Sequence, residues 1–143
     1  MPYIGRTMTP NADWQPLRVL IVEDCADTAD SLAILLRLWG HEPAIAYRAD
    51  SALALASRQG FDVVVLDVGL PDVSSGVELA RKLRVLPGVG GALIVVNSGF
   101  GRPADRARCY AAGCDAFLVK PADPEAIRQL LAARQRERRG HDG

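Results

Sequence analysis

Three short apolar runs constrain this chain more than any other feature: Val19–Val22, Val63–Leu66 and Leu93–Val96. A continuous apolar run bounded by turn residues suits a strand covered on both faces, as in a parallel sheet. Each run is followed by a stretch with helical spacing. Leu32, Leu35, Leu36 and Trp39 follow the first, and Gly40 stands at the C′ position that ends a helix. Leu79, Ala80, Leu83 and Leu86 follow the second, after a turn-rich loop over 69–76, and stop near Pro87-Gly88. Ala107, Tyr110 and Ala111 follow the third, before Gly113. Two weaker units complete the series. Glu42–Ala46 is a strand, followed by a helix that Asp50 caps and that runs to Arg58. Phe117–Val119 is another, followed by a helix opened by Asp123-Pro124 and carrying Ile127, Leu130 and Leu131. Strict alternation predicts an α/β fold: a doubly wound, five-stranded parallel sheet with five helices in a single domain.

The sequence divides into an N-terminal tail (1–16) with prolines at 2, 10 and 16, a folded body (17–132), and a basic C-terminal tail (133–143). Arg134, Arg136, Arg138 and Arg139 in that tail read as a solvated helix end complementing the dipole, rather than as a nucleic-acid contact. A formal net charge of +0 gives no global attraction to nucleic acid or anionic membrane. No apolar run approaches the ~20 residues that span a bilayer, and the start lacks a signal-peptide pattern, so a cytoplasmic location is expected. Cys25, Cys109 and Cys114 lack disulfide or zinc spacing; the last two read as reduced, partly buried small hydrophobes. His41 and His141 are expected to face solvent.

Ligands of open parallel sheets bind beyond the carboxyl ends of the strands. Glu23-Asp24, Asp67, Asn97-Ser98 and Lys120-Pro121 stand at those ends, whereas the second strand ends in Ala46-Tyr47 without a charge. Neighbouring strands lie about 4.8 Å apart, so these carboxylates come close together. Such a cluster repels itself and raises its own pKa values. A hard divalent cation relieves this, and Mg²⁺ is commonly held by one or two carboxylates with phosphate oxygens. Lys120 can pair with Asp67 and then with a phosphoryl oxygen, and Ser98 can donate a hydrogen bond to the same group. Asp67, rigidly held after four apolar residues, is a plausible nucleophile giving an acyl phosphate.

The motifs VLIVED at 19–24, VVVLDVGLP at 63–71, Ser98 at the end of strand four, and AGCDAFLVKP at 112–121 resemble the receiver domains of bacterial two-component response regulators, the CheY-like family. The resemblance implies a flavodoxin-like sheet of order 2-1-3-4-5. It implies that Asp67 takes phosphate from a histidine on a sensor histidine kinase or a histidine phosphotransfer protein. Asp24 would then ligate Mg²⁺ directly and Glu23 through water, with Asp67 and the backbone carbonyl of Gly69 as further ligands. Ser98 and Lys120 would contact the phosphoryl group. Ser98 and Phe117 would form the switch, Phe117 rotating inward, and the Lys120–Pro121 peptide bond would be cis. The protein would be a regulator with Mg²⁺-dependent self-phosphorylation and slow self-dephosphorylation, not an enzyme. It would act on an unknown output protein, with room for a homodimer and no membrane partner.

Three positions depart from the family pattern. The loop after Pro71 is one residue longer, Asn97 replaces an apolar residue, and Phe117 lacks the hydroxyl of the common tyrosine. No effector domain follows, which suggests a stand-alone regulator or a receiver cut from a hybrid kinase. An aspartyl phosphohydrolase is the competing enzymatic reading, but the position two residues after Asp67 is Gly69 rather than an acid. A phosphorylation-independent interaction domain is the third.

Overall fold

The computed structural model describes residues 15–68, 74–99 and 101–142. Its elements alternate throughout: β1 (Arg18–Val22), α1 (Ala26–Leu38), β2 (Glu42–Ala46), α2 (Ala49–Arg58), β3 (Val63–Val68), α3 (Ser74–Arg84), β4 (Leu93–Ser98), α4 (Pro103–Ala111), β5 (Ala116–Val119) and α5 (Pro124–Asp142). All strand pairs are parallel, in the order β2-β1-β3-β4-β5. This is the doubly wound 2-1-3-4-5 topology that the sequence implied. The chain leaves β1 toward β2, then returns past it to β3. The crevice of an open sheet forms at such a reversal, above the ends of β1 and β3.

Side chains alternate across the sheet, so each strand feeds two cores. Leu20, Val64, Leu66, Ile94 and Val96 pack with Ala52 and Ala56 of α2, Leu79, Ala80 and Leu83 of α3, and Cys109 of α4. Val19, Ile21, Val63, Val65 and Val95 pack on the other face with Ala29, Ala33 and Leu36 of α1 and Ile127 and Leu131 of α5. This double burial is why the strands read as unbroken apolar runs.

Arg84, at the end of α3, gathers the loops at the far rim of the sheet. It donates to the carbonyls of Gly113 (2.8 Å), Gly90 (3.0 Å) and Ala92 (2.5 Å) and pairs with Asp115 (2.5 Å). Gly113 has φ +107°, and a Cβ there would lie 2.9 Å from Cγ of Arg84.

Several local expectations are corrected. His41 is buried, 6% exposed, rather than solvent-facing. The cause is the end of α1, where His41 N–H bonds to Leu36 O (2.9 Å) and Gly40 N–H to Arg37 O (3.0 Å), with Gly40 at φ +88°. That Schellman geometry turns the residue after the glycine back onto the helix. His41 Nδ1 then accepts the N–H of Leu17 at 3.1 Å. Asp50 is not the cap of α2, which begins at Ala49 with Arg48 at the N-cap; its carboxylate accepts the Ser51 N–H and pairs with Arg48. Helix α3 starts at Ser74, inside the stretch read as loop. Helix α4 buries Asp105, Cys109 and Ala112, whereas Tyr110 is 47% exposed, so its inward face is not the one its apolar residues suggested.

Asp123 does cap α5, its Oδ1 accepting the Glu125 N–H at 2.9 Å. That helix continues through the basic segment to Asp142. There Arg134 donates to the Gly91 carbonyl, and Gln135 Nε2 donates to Gln15 O at 2.9 Å. Among the described residues no helix is long and apolar enough to cross a membrane. Cys109 and Cys114 are free and buried, and burial pushes the Cys114 thiol up to about 12.

Candidate functional site

Sheet register assembles the site. Val22 pairs with Leu66, so the next residues, Glu23 and Asp67, leave adjacent strands side by side. Asp67 pairs in turn with Asn97. Glu23, Asp67 and Lys120 stand at the carboxyl edge of the sheet, where Glu23 and Asp67 share a cleft with Ala49 of α2 and Leu79 of α3, while Asn97 has the parity of Val95, which packs on the α1/α5 side. Ser98 and Phe117 have the opposite parity, shared with Val96, and belong to the α2/α3/α4 layer. Phe117 lies in that core cluster and Ser98 is wholly buried.

Lys120 forms an ion pair with Asp67 Oδ1, and its Nζ lies 4.0 Å from Glu23 Oε1. Its backbone N–H donates to Ser98 O at 2.7 Å, which fixes the root of the side chain against β4. The peptide bond to Pro121 is cis. The side chains of Glu23 and Asp67 are both 4% exposed. Glu23 Oε2 accepts the Cys25 N–H at 3.0 Å, whereas Glu23 Oε1 is buried without a hydrogen-bond donor and Asp67 Oδ1 meets the Lys120 ammonium. Burial, and then the neighbouring Asp67 carboxylate, push the Glu23 carboxyl up to about 8. One buried acid beside another is disfavoured in its charged form, and a single ammonium only partly compensates. Asp24 is exposed beside them. Among the described residues no three acidic, His or Cys side chains already stand together as a ligand cage.

The structure thus brings Glu23, Asp67 and Lys120 together, with Asp24 at the rim and Ser98 one strand position beyond Asp67. Gly69 lies outside the described residues. Phe117 is already inward, 6% exposed, with the Arg106 guanidinium 5.0 Å from its ring centroid. A cleft of about 170 Å³ opens from the carboxylates toward the start of α2, and Tyr47 and Arg48 line it. The sequence reading missed Arg48 because it stopped at the last residues of the second strand, and the charge stands one position further on. Asn97, a departure from the family pattern, carries a buried Oδ1 without a donor in register with Asp67.

The response regulator receiver domain family matches residues 19–132. Virulence sensor protein BvgS of Bordetella pertussis is 36% identical over 136 residues, covering 91% of this chain and 11% of that protein. Probable transcriptional regulatory protein TcrX of Mycobacterium tuberculosis is 38% identical over 123 residues, covering 85% of this chain and 51% of that protein. Chemotaxis response regulator CheY4 of Vibrio cholerae superposes with a TM-score of 0.75 at 28% identity, covering 84% of this chain and 99% of the other. The chain therefore spans about a tenth of the sensor's length and about half of the regulator's. With the fold and the matched span in agreement, this chain belongs to the response regulator receiver domain family.

Proposed function

We propose that the chain is the phosphoacceptor module of a two-component phosphorelay, with Asp67 as the acceptor. The observation that carries this is the Lys120–Asp67 ion pair directly after the buried run Val63–Leu66, with the Glu23 carboxyl buried beside it. A receiver needs a nucleophilic carboxylate held rigidly, and a cation that can follow charge from the carboxylate to a new phosphoryl group. Phosphoryl transfer asks little more of a protein than position and neutralisation.

The donor set fits a hard divalent ion. Glu23 Oε1 is buried without a hydrogen-bond donor, the buried Asp67 carboxylate beside it has one ammonium to share, and Asp24 adds a third acid at the rim. Glu23, Asp24 and Asp67, with the Gly69 carbonyl, would hold Mg²⁺. Bound there, Mg²⁺ supplies positive charge to the phosphoryl oxygens.

The chain's own residues do the rest. An Asp67 carboxylate oxygen forms the new O–P bond as the bond from phosphorus to the donor's histidine nitrogen breaks. Lys120 moves from the carboxylate to a phosphoryl oxygen. Ser98, on the adjoining strand, donates its hydroxyl to the same group. The Ser98 displacement is transmitted to Phe117 by packing alone, because this aromatic has no hydroxyl. The acyl phosphate shifts a conformational balance that an output partner reads. The phosphate source is a histidine on a sensor kinase or a phosphotransfer protein.

Incubation with acetyl phosphate and Mg²⁺, read by intact mass, tests the assignment. One added phosphoryl group on the wild type and none on Asp67→Asn is expected. No addition to the wild type, or addition to the variant, refutes it.

A further inference from the structure

We infer that Arg48 is the donor-recruiting residue of the phosphotransfer cleft, binding the phosphoryl oxygens of the incoming donor. This rests on the reading of Asp67 as the acceptor.

The argument starts from charge. Three carboxylates, Glu23, Asp24 and Asp67, line the cleft. Any phosphoryl donor is itself an anion, so the mouth repels what it must admit. Lys120 is committed to Asp67 and is not among the lining residues. Arg48 is the only cation among the described residues that line the cleft. It stands at the N-cap of α2, two residues past the strand whose end borders the carboxylates.

Its present partner is easily exchanged. Arg48 Nε and Nη2 meet the Asp50 carboxylate at 3.3 and 3.2 Å, and both side chains are more than two-thirds exposed, at 75% and 72%. Ion pairs this exposed contribute little to stability, and a guanidinium fork fits phosphoryl oxygens as well as it fits a carboxylate. Asp50 thus acts as a placeholder, occupying the fork until a donor's phosphoryl oxygens replace it. Arg48 remains outside the reacting atoms, so it strengthens donor binding without changing the chemical step.

Two substitutions should act in opposite directions. Rates of Asp67 phosphorylation are measured by intact mass at saturating Mg²⁺, with acetyl phosphate and with phosphoramidate, at low and high salt. Arg48→Gln should raise the KM for both donors about fivefold with kcat unchanged. Asp50→Asn, which frees the guanidinium, should lower KM. Both effects should shrink at high salt. An unchanged KM in Arg48→Gln, a loss confined to kcat, or a raised KM in Asp50→Asn overturns the inference while Asp67 phosphorylation stands. A wild type that takes no phosphoryl group overturns the acceptor reading and this one with it. Both side chains are exposed, and circular dichroism confirms that each variant folds.

Discussion

Truncation of Arg84 should cost this domain a large part of its stability. Arg84→Ala removes one donor each from the carbonyls of Gly90, Ala92 and Gly113, together with the ion pair to Asp115. Hydrogen bonds from charged donors are worth about 1.5–3 kcal/mol each when the acceptor is left dry. Here Ala92, Gly113 and Asp115 border a cleft of about 630 Å³ and Gly90 is half-buried, so water can reach the acceptors after truncation. Asp115 also keeps the Ile94 N–H at 2.8 Å. A value near 1 kcal/mol for each acceptor is therefore appropriate, giving a loss of about 4 kcal/mol. Domains of this kind have about 5–15 kcal/mol in total. Urea unfolding should show a lower midpoint with an unchanged m-value, and the melting temperature should fall by about ten degrees. Arg84→Lys should recover less than half of the loss, because one ammonium cannot fork between four acceptors. A loss below about 1 kcal/mol for Arg84→Ala, or full recovery by lysine, would refute the reasoning.

Three further outcomes follow from the titratable groups. Because Glu23 is pushed up to about 8, a proton competes with Mg²⁺ below that pH. Calorimetric Mg²⁺ affinity should therefore rise with pH, by up to about tenfold per unit between about pH 6 and pH 8, and Glu23→Gln should flatten the curve. Lys120→Met removes the ammonium from Asp67, so Mg²⁺ should bind several times more tightly while phosphorylation slows at least about tenfold; weaker Mg²⁺ binding would contradict the electrostatic account. Burial lowers the pKa of His41 from its ordinary 6.5. Its contribution is present above that value and is lost as pH falls and the ring must gain a proton in the unfolded state first, so His41→Gln should reduce the acid sensitivity of the melting temperature.

The fold was readable in the sequence because parallel strands buried on both sides leave unbroken apolar runs, and those runs end at the residues that carry the chemistry. Glu23, Asp67 and Lys120 could be found from this rule alone. What it could not supply was anything set by long-range packing. His41 looks like a turn residue until the helix end folds it inward. Helix α4 turns Cys109 and the polar Asp105 toward the core, while Tyr110 points outward. Asp105 can be buried because Arg102 meets it at 2.9 Å, a pairing that hydrophobic periodicity does not register. Arg84 reads as one more cation at a helix end, since its acceptors come from two separate loops, one just after α3 and one around Gly113 and Asp115. Arg48 lies one position past the strand-end residues, Ala46-Tyr47, so the strand-end rule does not reach it.

Opposite parities at Asn97 and Ser98 have a mechanical consequence. The sheet is a partition: Asn97, in register with Asp67, has the parity of Val95 on the α1/α5 side, and Ser98 that of Val96, on the side of Phe117 and Cys109. Consecutive residues of β4 face the two sides, so the single peptide unit joining them is the shortest covalent bridge through that wall. A force applied beside Asp67 can reach the α4 compartment as a rocking of that unit. The strength of such a transmission depends on how firmly the strand is clamped there, and the Lys120 N–H on the Ser98 carbonyl is one of the clamps.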